Sequence, residues 1–267
     1  MANVSNWISV GDLADGFLPD SNILAACFDL VDVPIKYIAE NGGEHIFSIY
    51  RQDDEQFIRD ETQASYPVRI TSLRQDLYFI DYLESKCSVT LLVDFSSGQV
   101  LSIKGSLPTV AETEKSLLAR AQAGLPLTAV NVVFEAGHLV GRDDIFGFER
   151  TDELIGKRIR YRYSLTELYE HIYLNESFYT WHCLSGVERG LTDTDRCHYF
   201  KLHENLYLFI WQEKIVPTLG VVTVDLEKNK TDGKIFGYAD FSAGEVSNFQ
   251  IGAFASFANY TPPVDMN

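Results

Sequence analysis

Short runs in which every second residue is apolar recur along this chain, and a period of two is the mark of a half-buried β-strand. Between Lys157 and Tyr163 the residues Ile159, Tyr161 and Tyr163 fall on one face, and Arg158, Arg160 and Arg162 on the other. Further strand-like runs lie near 168–175, 178–184, 196–202, 205–213, 218–226 and 233–239. Short antiparallel strands at that spacing suit a sandwich or an up-and-down barrel. Upstream, from Val33 to Lys104, β-rich runs alternate with turn chemistry, and Asn41-Gly42-Gly43 and Ser96-Ser97-Gly98 are hairpin signals. That stretch reads as about six or seven strands in a meander.

The period changes at Thr109. Thr109 to Glu112 has capping-box spacing, Leu117, Leu118 and Ala121 form a helical stripe, and Gly124 followed by Pro126 supplies a stop. One helix is predicted over 110–123. Residues 127–141 resume β patterning, and 142–150 read as the loop into the second β-rich stretch. Residues 1–30 read as an irregular lead-in with one short helix packed on the first barrel.

The two β-rich stretches are copies. Leu77-Tyr78 matches Leu206-Tyr207, Glu84 matches Glu213, Asp94 matches Asp225 and Gly105 matches Gly237, the offset drifting only from 129 to 132. One folding unit used twice predicts an all-β protein of two tandem antiparallel barrels with a helix at the seam. The expected divisions are 1–108, an N-terminal barrel with its lead-in; 109–150, the helix and connecting segment; and 151–267, a C-terminal barrel. Closure removes exposed edges, and an eight-strand barrel leaves an interior about large enough for one small ligand.

Composition narrows the function classes. A chain of 267 residues that is 46% hydrophobic and 13% aromatic can bury a full core. Its formal net charge of −16 repels polyanions, which argues against nucleic-acid and anionic-membrane partners. There is no secretory pattern and no apolar run of spanning length. Cys27, Cys87, Cys183 and Cys197 form no C-x-x-C pair. The expectation is a cytoplasmic chain with reduced cysteines.

Nucleotide and nicotinamide chemistry lack their motifs: there is no G-x-S-x-G, H-E-x-x-H, Walker or G-x-G-x-x-G signature, so no cofactor is expected. His182-Cys183 and Cys197-His198 bring zinc-ligand types together, but neighbours on a strand point to opposite faces, so packing is the reading and no metal is expected. The three arginines of 158–162 read as an outer face pairing with acidic neighbours. Tyr161, Tyr163 and Glu213 are the candidates for chemistry. The tyrosines share one face of their strand, and Glu213 ends another on the face of Phe209 and Trp211. If both faces turn inward, two phenols meet one carboxyl group in an aromatic cavity, and burial raises the Glu213 pKa toward neutrality, as a proton-transferring acid requires. The same pattern also fits two core tyrosines and a solvated strand-end glutamate. His171, Tyr173, Tyr179 and Trp181 are further candidates for the lining.

Through YEHIYLNESFYTWHCLSGVERGLTDTDRCHY, LFIWQEKIVPTLGVV and VFEAGHLVG the chain resembles, over nearly its whole length, the molybdenum cofactor biosynthesis protein F family, a two-unit calycin-like group. Each half is also similar to the phenolic acid decarboxylases, single lipocalin-like barrels that remove the carboxylate of hydroxycinnamic acids without a cofactor. That likeness runs through LIGKRIRYRY, YEHIYL, LSGVERG, WQEK and GKIFGY, and through Glu40-Asn41-Gly42 in the first half. It implies that Tyr161 and Tyr163 position a substrate and that Glu213 handles the proton. The first half offers Tyr37, Ala39 and Glu84 at the same places. The positioning arginine of those enzymes does not carry over: Leu191 holds its place, with Arg189 two residues away. A missing cation forfeits a charge-assisted hydrogen bond of about 1.5–3 kcal/mol, which argues against decarboxylation of the same substrates. The decarboxylases pair as homodimers, and a tandem chain could pair its two lipocalin-like barrels within one polypeptide.

Two functions follow as expectations. In one, the C-terminal barrel holds a small organic molecule, aromatic or phenolic, and performs cofactor-free lyase, isomerase or cyclase chemistry. Glu213, Tyr161 and Tyr163 are then catalytic, and His171, Tyr173, Tyr179, Trp181, Arg189 and Trp211 bind the ligand. In the other, the barrel is a non-catalytic carrier.

Overall fold

In a computed structural model that describes residues 6–17, 21–142 and 147–262, the strands form two rings of eight, each antiparallel and closed. The N-terminal ring comprises β1 (Pro34–Ala39), β2 (Glu44–Gln52), β3 (Glu55–Arg59), β4 (Ser65–Arg74), β5 (Leu77–Glu84), β6 (Cys87–Asp94), β7 (Gln99–Ser106) and β8 (Asn131–Leu139). It returns on itself where Tyr37–Ala39 face Gly137–Leu139. The C-terminal ring comprises β9 (Lys157–Arg162), β10 (Leu168–Tyr173), β11 (Phe178–Ser185), β12 (Thr192–His203), β13 (Leu206–Glu213), β14 (Thr218–Asp225), β15 (Lys230–Tyr238) and β16 (Val246–Tyr260). There β16 pairs with β9 and completes the barrel. The chain is thus all-β with two tandem barrels, as the repeat implies.

The copies agree in detail. β5 and β13 are both eight residues long and end on Glu84 and Glu213. β6 and β14 end on Asp94 and Asp225, whose carboxylates each fold the following turn: Asp94 accepts from the Ser96 amide at 2.8 Å and Asp225 from the Lys228 amide at 2.8 Å. Each β4–β5-type hairpin carries a register shift just before its turn, at Ser72/Arg74 and at Lys201/His203. The β1–β2 turn depends on Gly42, whose φ of 85° an L side chain rarely adopts.

Strand β9 alternates as its sequence predicts, Ile159 and Tyr161 inward and the arginines outward. Arg158 and Arg160 both pair with Glu170 of β10, which is buried on that outer face. By contrast β13 and β14 are buried on almost every position, so their text is a continuous apolar run without period.

Three features differ from the expectation. The short N-terminal helix is α1 (Val10–Phe17), and it belongs to the C-terminal barrel: Val10, Leu13, Ala14 and Phe17 are buried in that barrel's core. Its apolar spacing of i, i+3, i+4, i+7 is helical, but Gly11, Asp12 and Gly16 weaken the signal in so short a segment. Gly11 is there for contact, since a Cβ at that position would stand 2.3 Å from the Ala239 carbonyl oxygen. The predicted single helix over 110–123 is two, α2 (Val110–Thr113) and α3 (Leu117–Gln122). Ser116 starts the second by accepting the Ala119 amide at 3.1 Å, while the Thr109 amide reaches the Glu112 carboxylate at 2.9 Å as the capping box requires. The anchor of α3 is Arg120, buried and donating to the Pro126 and Thr128 carbonyls at 2.7 and 3.1 Å; the apolar Leu118 is exposed. Finally, β16 was absent from the strand pattern, because its second half, from Phe254, is mostly exposed and lacks a buried alternation.

By contact the described residues of 24–106 and 132–148 form one compact unit and those of 1–23, 107–131 and 149–267 the other. The described lead-in residues up to Ile23 and the two small helices therefore go with the C-terminal barrel, whereas those from Leu24 go with the N-terminal one.

Candidate active site

The core of the C-terminal barrel is a stack of aromatic rings. Phe209 lies 5.2 Å from Trp211, 5.6 Å from Tyr199, 4.8 Å from Tyr179 and 5.1 Å from Tyr173. β14 makes room for this stack with Gly220, where a Cβ would come within 2.1 Å of the Trp211 ring. What remains open is a cavity of about 30 Å³, room for a water molecule or two.

The cavity brings together Tyr163, His171, Tyr179, Trp181, Trp211 and Glu213, all candidates from the sequence. Leu13, Phe17, Tyr169, Glu188 and Ile235 complete its wall. Three candidates do not line it. Tyr161 and Tyr173 are buried and their hydroxyls meet each other at 2.6 Å. Arg189 is exposed in the turn after β11 and does not line it either. Leu191 packs against the aromatic core.

Glu213 is half-buried by area, at the end of its strand, but its carboxyl group is surrounded by protein. Trp211 shares its face two residues earlier and donates its indole N–H to Glu213 Oε1 at 2.8 Å. Burial pushes the Glu213 carboxyl well above the ordinary carboxylate range, the charges of Asp195 and Glu188 push the same way, and the single indole bond only partly opposes them. Asp195 is raised by burial although Lys214 opposes the shift; it accepts the Trp181 indole N–H at 3.0 Å.

Glu188 was missed by the sequence reading. It sits in the LSGVERG turn, is 8% exposed, and accepts the Tyr169 hydroxyl at 3.1 Å. Burial raises it to about 7. A glutamate in a glycine-flanked polar turn reads as solvated; only the turn's folding over the barrel end buries it. His171 is pushed down to about 3 by burial and is neutral at ordinary pH. Its Nδ1 has no hydrogen-bond partner among the described residues. Tyr163 stays protonated, its pKa raised by burial. The wall therefore holds two carboxyl groups with raised pKa values, a neutral imidazole and three phenols, Tyr163, Tyr169 and Tyr179, and no lysine or arginine.

Among the described residues no cluster of three or more His, Cys, Asp or Glu side chains could hold a metal ion. Cys183 and Cys197 are buried free thiols, and Cys197 donates to the Tyr199 hydroxyl at 2.9 Å. No described helix is long and apolar enough to cross a membrane.

The N-terminal barrel differs in kind. Its cavity is about 190 Å³ and more polar, lined among others by Tyr37, His45, Tyr82, Glu84, Lys104 and Glu135. Glu84, the copy of Glu213, is tied to Lys104 at 2.8 Å, and His45 meets Glu135 at 3.1 Å.

These features define a class of protein, a tandem pair of eight-stranded barrels of which the second encloses an aromatic, acid-lined cavity. The chain belongs to the MoaF family: residues 5–109 match the MoaF N-terminal domain and residues 148–261 the MoaF C-terminal domain. It is 41% identical over 271 residues to Protein MoaF of Klebsiella aerogenes, with 98% of each chain covered. A crystal structure of a putative beta-lactamase from Burkholderia vietnamiensis aligns with 41% of this chain and 99% of its own, at 16% identity and a TM-score of 0.34, a likeness too slight to inform fold or activity.

Proposed function

We propose that the C-terminal barrel binds a small aromatic molecule and performs cofactor-free acid–base chemistry on it, of lyase, isomerase or cyclase type. Membership of the MoaF family suggests a role related to molybdenum cofactor biosynthesis, and the proposed step is one reaction such a role could contain. The observation that carries the reading is the Glu213 carboxyl in an aromatic cavity with no lysine or arginine on its wall. A carboxyl group so placed holds its proton to higher pH than a free one and can donate it to, or recover it from, a carbon or oxygen held against it. Tyr163 is the positioning phenol, and Glu188 is a second carboxyl able to relay the proton. Tyr161 acts behind the cavity, through its hydrogen bond to Tyr173.

The test is a panel of phenols and aryl carbonyl compounds in D₂O, followed by loss of the conjugated ultraviolet band and by deuterium uptake at carbon. Glu213→Gln is expected to leave ligand affinity within severalfold and to reduce turnover at least 100-fold. Equal turnover by the variant would sink the assignment.

The carrier reading has one observation in its favour, the larger cavity of the N-terminal barrel, about 190 Å³. It predicts a copurifying small molecule in native mass spectrometry and no product from any member of the panel.

A further inference from the structure

The cavity of about 30 Å³ is too small for an aromatic ligand, and Phe17 is one of the rings that line it. The last residue of α1 is 2% exposed, and its ring lies 4.9 Å from Tyr163, 5.6 Å from Tyr169 and 6.1 Å from Phe249. Leu13, one turn earlier, reaches the same cavity. An eight-residue helix with glycines at 11 and 16 has little stability of its own. It is held by the barrel that it stops, through four buried apolar side chains and the Gly11 amide on the Ala239 carbonyl at 3.1 Å.

The polar side of the cavity has a matching vacancy. His171 is 4% exposed and its Nδ1 lacks a partner. A buried ring nitrogen without a hydrogen bond is costly unless something else satisfies it. The charges decide what that can be. Glu188 and Glu213 are both on the wall, whereas Lys214 is engaged by Asp193 at 2.5 Å and by the Thr194 carbonyl at 2.7 Å, and Arg189 is exposed. Leu191, which follows the turn of Arg189, lies on the apolar core. An anion taken into this cavity would be desolvated with no cation on the wall to pair with it.

We infer that the Phe17 ring holds the place of the ligand's own ring, and that this ligand is an uncharged aromatic molecule bearing one hydrogen-bonding oxygen, not an aromatic carboxylate. The inference rests on the acid–base reading of the same cavity and names its substrate class. Binding exchanges one ring for another while α1 withdraws, and the ligand oxygen meets the His171 imidazole nitrogen that Phe17 leaves without a partner.

The test uses the full chain as wild type and as Phe17→Ala, with 4-ethylphenol and 4-hydroxybenzoate as probes at pH 7.5. Trp181 and Trp211 on the wall provide the fluorescence signal. Removing the ring vacates apolar space of the order that accepts benzene, roughly 150 Å³, so Phe17→Ala is expected to bind 4-ethylphenol at least 10-fold more tightly than wild type. It is also expected to bind 4-hydroxybenzoate at least 10-fold more weakly than the phenol. Phe17→Leu, which keeps an apolar stopper but no ring, is expected to show an intermediate gain and serves if the alanine variant does not fold. A folded variant with no gain, or equal binding of the two probes, overturns the inference. Turnover of an aromatic carboxylate by the wild type also overturns it while upholding the acid–base reading; tight phenol binding by Phe17→Ala without turnover in any variant does the reverse.

Discussion

Glu188 has its proton held up to about 7 by burial, against 4.5 for a free side chain. The folded state therefore binds a proton that the unfolded state has released between those two values. Stability contributed by this group is present at pH 4.5 and below, is lost as pH rises toward about 7, and changes no further above it; the loss is on the order of 3 kcal/mol at most. Glu188→Gln is expected to flatten that part of the stability curve, which urea unfolding of both proteins at pH 5 and pH 7.5 measures as a difference of differences. Glu170 shows the opposite case: burial works to raise it, but Arg158 and Arg160 overrule burial and hold it below the ordinary range. Local sequence places Glu170 in a strand and Glu188 in a turn, but shows neither the burial of the two nor the arginines that reach Glu170. Tyr163 and Glu213 could be picked out because a strand's period assigns faces, whereas Glu188 sits in a turn, where no period operates.

At the scale of elements, α1 is the part whose sequence and position disagree most. Two glycines in eight residues cost about 1 kcal/mol each in helix propensity, and Gly11 is retained because the helix backbone approaches Ala239 too closely for a side chain. Gly11→Ala is accordingly expected to destabilise the protein by about 1–3 kcal/mol, although alanine is the better helix former, because the backbone it meets cannot swing aside. Thermal unfolding of the variant decides the sign; a raised Tm would show that α1 docks less tightly than the contact implies. The strands tell a different story. Those with one wet face, such as β9, were legible in span and in the alternation of their faces. β13 and β14 were legible only as strands, because burial on both faces erases the alternation that says which side is which. Predicting α2 and α3 as one helix has a similar cause: the stripe of Leu117, Leu118 and Ala121 mimics a buried face, but the buried residue is Arg120.

Over the whole molecule, duplication has produced two barrels with different interiors. Where the C-terminal barrel has Tyr163, the N-terminal one has Ala39, and the cavities measure about 30 and about 190 Å³. The pairing register sets Ser106 opposite Cys87 and Gly237 opposite Thr218, one place off the Gly105–Gly237 match of the sequence, so where Lys104 of β7 faces its cavity and pairs with Glu84, β15 presents Ile235 to the cavity of Glu213. That exchange of a cation for an aliphatic side chain leaves Glu213 without a countercharge. Ile235→Lys is expected to reverse it, drawing the Glu213 carboxyl down by more than one pKa unit, as carboxyl ¹³C shifts followed through a pH titration would record; an unmoved resonance would mean that neighbours other than residue 235 set its protonation. The sequence alone determined the β class, the two copies and their matching hairpins, and it set Tyr163 and Glu213 each on one face of a strand, since all of these follow from local periodicity and turn chemistry repeated along the chain. Only the tertiary structure decided that α1 stops the second barrel, that Glu188 joins the cavity wall and that Arg189 does not, because each depends on which distant segment covers a given side chain, and burial has no signature within a few residues of sequence.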